Sequence, residues 1–145
     1  MSGTVQDHSG AVSERLAQAM NAHHLEAQLA CFHDDYRSEQ PAHPARAFAG
    51  RAQVRQNWSK LFESIPDFQA ELLRLAVVGD EEWAEWIWQG TKEGGTPFEE
   101  RGVSIFGIRD GRIAWAHLYL EETERDGAGI TETVRRMTGR DDVQS

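Results

Sequence analysis

The sequence predicts an α+β domain in which three helical stretches precede a long antiparallel sheet. Two observations carry this reading. Apolar residues recur at helical spacing only as far as Ile65, and beyond it the chain turns to long β-forming runs separated by Gly-containing turns, so helices and strands are segregated rather than interleaved. The stretch from Gly102 to Glu122 also breaks at Asp110-Gly111, a pair flanked by alternating apolar residues. That is the strongest short-range signal for a two-residue hairpin, because both turn positions need φ > 0.

The elements follow in order. Residues 1–10 are small and polar, as expected of a frayed end. Val12, Leu16 and Met20 mark a first helix, and Leu25, Leu29 and Phe32 a short second one after the His23-His24 interruption. Asp35 to Gln40 reads as a short strand, because Pro41 and Pro44 forbid helix and push the residues before them towards extended geometry. A loop is expected as far as Gly50. Val54, Trp58, Leu61, Phe62 and Ile65 then form one apolar stripe on a third helix, which Pro66 ends. Phe68 to Val78 and Trp83 to Thr91 are strands joined at Gly79-Asp80, and the Glu93 to Pro97 turn leads into the Asp110-Gly111 hairpin. The sheet is thus a four-strand meander plus the short early strand. An Asp126 to Gly129 linker precedes a short helix over Ile130 to Met137 with Gly139 as its stop. The expected organisation is a polar end over 1–10, one domain over 11–124 and a tail over 125–145.

Composition limits the function classes. A chain of 145 residues with 39% hydrophobic content builds one core. Its net charge of −9, with no basic stripe, disfavours nucleic acid and anionic membrane surfaces as partners. The single cysteine, Cys31, leaves no internal disulfide and reads as a small buried hydrophobe, which fits a reducing cytoplasm. The N-terminus lacks the basic and apolar segments of an export signal, and no window is long enough to span a bilayer.

Three segments, HDDYRSEQP (His33 to Pro41), AGRAQVRQNW (Ala49 to Trp58) and IRDGRIAWAHLYLEE (Ile108 to Glu122), make the stretch from Val12 to Glu124 resemble the nuclear transport factor 2-like superfamily, and within it the SnoaL-like, polyketide cyclase-like group. The resemblance implies a cone-shaped, curved antiparallel sheet with three N-terminal helices packed on its concave face, a cystatin-like α+β barrel. It also implies a pocket between sheet and helices, no cofactor, and a homodimer through the outer sheet face. Function is not carried with it, since isomerases, cyclases, hydrolases and non-enzymatic domains share the scaffold. In the ketosteroid isomerases of the superfamily a Tyr donor, an Asp base and a protonated Asp fall at the positions of Leu16, Gln40 and Ser104, and none of the three residues present performs the same role. The cyclases' His-Trp-acid pattern on the last strand meets Ala116-His117-Leu118 here, with the histidine displaced by one residue and hence to the opposite face.

The candidate residues sort by strand alternation. His117, Tyr119 and Glu121 share one face with Trp115; His117 is the one plausible proton carrier if that face is inward, but the comparison with the superfamily puts Ala116 and Leu118 inward and makes the His117 face the subunit contact. Tyr36, Ser38 and Gln40 then share the inward face of the early strand, with Gln40 the second candidate for chemistry. Leu16, Met20, Trp58, Phe62, Trp86, Trp88, Ser104, Phe106 and Leu118 complete the expected lining of an apolar pocket, for which ordinary core packing is the competing account. The expected partner is a small apolar or aromatic molecule, handled by cofactor-free acid-base chemistry or, alternatively, bound without turnover by a ligand-binding or protein-interaction module. His23, His24 and His33 have no ligand-like spacing, so no metal site is expected.

Overall fold

The computed structural model describes residues 10–140. The expectation of a frayed end over residues 1–9 lies outside them. In chain order the elements are α1 (Val12–Asn21), α2 (Leu25–Leu29), β1 (Phe32–Glu39), a 3-10 turn (Pro44–Arg46), β2 (Phe48–Ala49), α3 (Arg51–Ser64), β3 (Gln69–Val78), β4 (Glu81–Thr91), β5 (Pro97–Arg109), β6 (Arg112–Glu122) and α4 (Ile130–Thr138).

The strands form one open, six-stranded sheet in the order β2-β1-β6-β5-β4-β3. Consecutive long strands pair antiparallel, as the turn chemistry requires; Asp110 and Gly111 take φ of 55° and 71°, the left-handed pair a tight hairpin needs. The sheet is nevertheless mixed, because β1 lies parallel to β6. Two expectations are corrected here. The early strand starts at Phe32 rather than Asp35, and the loop before Gly50 contains β2, which pairs with β1 through Arg37–Ala49 and Ser38–Phe48. Neither is marked by more than two residues of pattern.

Helix α1 has no side-chain cap of its own, since Ala11 occupies the N-cap. The missing acceptor comes from the sheet. Glu82 of β4, 5% exposed, accepts from Val12 N at 2.9 Å, from Ser13 N at 2.7 Å and from Ser13 Oγ at 2.7 Å. A carboxylate at a helix N-terminus satisfies orphan N–H groups and complements the helix dipole at once, so this contact pins α1 to the sheet. At the other end of the chain Gly139, φ 68°, stops α4.

The core lies between the helices and the inner sheet face. Met20, Phe68, Trp86 and Ile113 are buried completely or nearly so, each apolar side chain contributing about 1.5–3 kcal/mol by leaving water. Trp86 brings its polar edge inside by donating from Nε1 to Ser104 Oγ at 2.8 Å. Curvature comes from bulges between Leu72 and Arg74 and between Gly107 and Ile108, and from Gly102 at φ 157°.

Candidate functional site

Five elements converge on one cavity under α3. Alternation along β1 sends Tyr36 and Ser38, and Gln40 just past its end, to the inner face, while Arg37 and Glu39 stay outside. Helical spacing on α3 turns Val54, Trp58 and Leu61 downward with Asn57 beside them. Phe106 of β5 and Leu118 of β6 form the floor, and Phe32 and Phe48 close one side. The cavity, which opens to one side, has a volume of about 170 Å³.

Its aromatic walls brace one another. The Tyr36 ring meets Phe32 edge-on at 4.7 Å and Phe48 at 6.0 Å, and Trp58 meets Trp88 at 5.3 Å and Phe68 at 5.4 Å. Burial pushes the Tyr36 phenol up to about 12, against the smaller lowering effect of its hydrogen bond with Ser38, so it stays neutral throughout the physiological range. Gln40 Oε1 accepts from Arg46 Nη1 at 2.8 Å, and Asn57 Oδ1 accepts from Gln53 Nε2 at 2.7 Å. In each amide the NH₂ donor is free among the described residues and the oxygen keeps one lone pair. The wall thus contains two hydroxyls, two amides and otherwise apolar side chains, and none of these changes charge near neutral pH.

Of the residues expected around a pocket, Tyr36, Gln40, Trp58, Phe106 and Leu118 line this one. Leu16, Met20, Trp86 and Ser104 do not; they are core, because α1 packs over the middle of the sheet and the cavity lies beneath α3. Phe62 stacks on the His23 ring at 4.5 Å, and Trp88 stands behind Trp58 with its indole N–H buried and unpartnered. His117 faces the other way. It packs against Trp115, with ring centroids 5.1 Å apart, and its Nε2 is 3.6 Å from Glu39 Oε1 on the outer face, while its neighbour Leu118 faces the cavity. Phe32, Phe48, Val54, Asn57 and Leu61 were not expected in the wall; Val54 and Leu61 share the Trp58 stripe, but no pattern marks Phe48.

Two other features bear on chemistry. Burial, and then the charges of Glu122 and Glu121, push the Glu100 carboxyl above its usual range. Glu100 pairs with Glu122, four residues beyond Leu118 along β6, and stands opposite Trp88 on β4; it is not among the wall residues. A more open groove of about 640 Å³ lies between α1, α2 and the β5–β6 turn, among Arg15, Ala19, Ala22, Ala27, Cys31 and Arg112, and holds none of the expected residues. Among the described residues no three His, Cys, Asp or Glu side chains are arranged to hold a metal ion, and no helix is long and apolar enough to cross a membrane.

Helices roofing the concave face of a curved, unclosed sheet, with a small cavity between the layers, define a cone-like α+β domain of the nuclear transport factor 2-like type. The chain belongs to the SnoaL-like domain family, whose model matches residues 13–116. Solved structures agree in fold. The chain is similar to IdmH of Streptomyces antibioticus, a candidate polyketide cyclase, with a TM-score of 0.66 and 21% identity over 76% of this chain and 89% of that one. It is similar to a Catenulispora acidiphila protein with a ketosteroid isomerase-like fold, solved with trimethylamine (TM-score 0.65, 19% identity, 74% and 83% of the two chains). A Mycobacterium tuberculosis protein solved with estradiol-17beta-hemisuccinate gives a TM-score of 0.63 and 19% identity over 73% of this chain and 88% of that one. No curated protein matches.

Proposed function

We propose that the domain binds a small organic molecule in the cavity under α3 and holds it without acid-base turnover of its own. The observation that carries this is the composition of the wall. Proton transfer needs a group that gains or loses charge near the working pH within hydrogen-bond reach of the ligand. The wall offers amides, a serine and a phenol held at about 12. His117, beside Leu118, and His33, beside Phe32, alternate to the opposite sheet face, His43 is held by Glu121 at 2.8 Å, and none of these, nor Glu100, is among the wall residues. Solved proteins of the same fold hold trimethylamine and an estradiol derivative, which supports a ligand in this scaffold. Calorimetric titration with a panel running from acetophenone to estradiol tests the reading. At least one member is expected to bind saturably, to lose about tenfold in affinity in Trp58→Ala, and to bind His117→Ala as it binds the parent protein. A panel without a saturable binder, or affinity that falls with His117→Ala and not with Trp58→Ala, sinks the reading.

We also propose that the outer sheet face joins two copies of the chain in the cytoplasm. Trp83, Ile105 and His117 share one rung across β4, β5 and β6, with Val103 and Tyr119 on the next. Trp83 is 45% exposed and Tyr119 43%, a concentration of aromatic surface of the kind homodimers cover. Sedimentation velocity at micromolar concentration is expected to show a dimer that Trp83→Glu with Tyr119→Glu converts to monomer. A monomeric parent protein contradicts this.

A further inference from the structure

Resting on the proposed ligand pocket, we infer that its occupant is an uncharged molecule with a single ring and a hydrogen-bond acceptor, which Gln40 and Asn57 hold at the mouth. Size comes first. Drug-sized ligands occupy sites of about 300–1,000 Å³, whereas a cavity of about 150 Å³ takes benzene. At about 170 Å³ this cavity is of the second kind. Its walls are poor candidates for retreat. Tyr36 is wedged between Phe32 and Phe48, and Trp58 rests on Trp88 and on the fully buried Phe68, so a second fused ring would have to part interlocked side chains or stand out through the mouth into water.

Charge comes second. None of the eleven wall residues is Asp, Glu, His, Lys or Arg. An anion among these walls would surrender its hydration with no counter-charge in contact, at a cost of several kcal/mol, since the nearest cation, Arg46, stands outside the wall on Gln40 Oε1. A cation would find ring faces, worth about 0.5–2 kcal/mol, against a similar desolvation cost. Polarity comes third. The carbonyl oxygens of Gln40 and Asn57 already accept from Arg46 and Gln53, whereas their NH₂ groups are unengaged among the described residues, so N–H donors are the larger share of what both amides present. Gln40 is half-buried and Asn57 exposed, which puts these donors at the opening, while Phe32, Tyr36 and Phe106 are buried. A ring inward and a carbonyl or ether oxygen outward matches that gradient.

The test is a calorimetric ranking with the full chain. Acetophenone is expected to bind, and ethylbenzene, which lacks the acceptor, to bind about fivefold more weakly. Benzoate, benzylamine, 2-acetylnaphthalene and estradiol are each expected to bind about tenfold more weakly than acetophenone, or less well still. Gln40→Leu should shrink the gap between acetophenone and ethylbenzene. Leu61→Ala, which widens the cavity from the half-buried face of α3, should admit 2-acetylnaphthalene. Tighter binding of a charged or multi-ring compound than of acetophenone overturns the inference and leaves the pocket standing. So does a Gln40→Leu variant that keeps the full gap, or a Leu61→Ala variant that still excludes the two-ring ketone. If no compound binds, the pocket itself falls.

Discussion

Replacing Glu82 with alanine is expected to destabilise the fold by about 3 kcal/mol, because it orphans three donors together. Val12 N, Ser13 N and Ser13 Oγ all point at this one carboxylate, and Ser13 is fully buried. A lost buried acceptor costs about 1–3 kcal/mol for each stranded group, moderated where water can reach the end of a helix. Loss of the favourable charge at the α1 N-terminus adds to it. Urea unfolding should show a lower midpoint with an unchanged slope, and Glu82→Gln, which keeps one acceptor oxygen, should fall between the parent and Glu82→Ala. A loss below about 1 kcal/mol would mean that α1 is held by its apolar face alone.

Gly102→Ala is expected to cost about 3 kcal/mol or more, and to weaken ligand binding as well. A Cβ there would sit 2.0 Å from the Tyr119 carbonyl oxygen and 2.6 Å from Leu120 Cα, backbone atoms that cannot swing aside. Its φ of 157° adds strain for any L side chain. Relief requires β5 and β6 to separate where they curve towards Phe106 and Leu118, the cavity floor. The contrast is Gly111→Ala in the hairpin turn. There φ is 71° but the space is open, so about 1 kcal/mol of backbone strain is the whole expected cost. Thermal or urea unfolding of the two variants side by side checks the difference; equal losses would remove the steric argument.

The parts legible in the sequence were those that a local pattern dictates. Asp110-Gly111 announced its turn because few other dipeptides tolerate two positive φ values. Alternation alone put Tyr36, Ser38 and Gln40 on one side of β1 and set Leu118 against His117 on β6. Phe32 was misread as helical because it follows Leu25 and Leu29 at helix spacing, whereas α2 ends at Leu29 and Phe32 pairs with Ile113 of β6. Periodicity in a short apolar run does not separate the two states. Leu16 was expected at the pocket from its match to the isomerases' Tyr position, and Met20 shares its stripe; a helix stripe shows which face is buried but not which part of the sheet it covers. Glu82 was hidden among the many acids of this chain, since a cap supplied from seventy residues away leaves no local trace.

The most direct test uses the five tryptophans as addressed reporters, one indole N–H signal each in a nitrogen-15-labelled sample titrated with acetophenone. Trp58 lines the cavity and Trp88 lies behind it, whereas Trp83 and Trp115 belong to the outer face. The Trp58 signal, and more weakly that of Trp88, should move saturably, with Trp83 and Trp115 unmoved. Shifts confined to Trp83 and Trp115 would put the ligand on the outer face beside His117 and contradict the account.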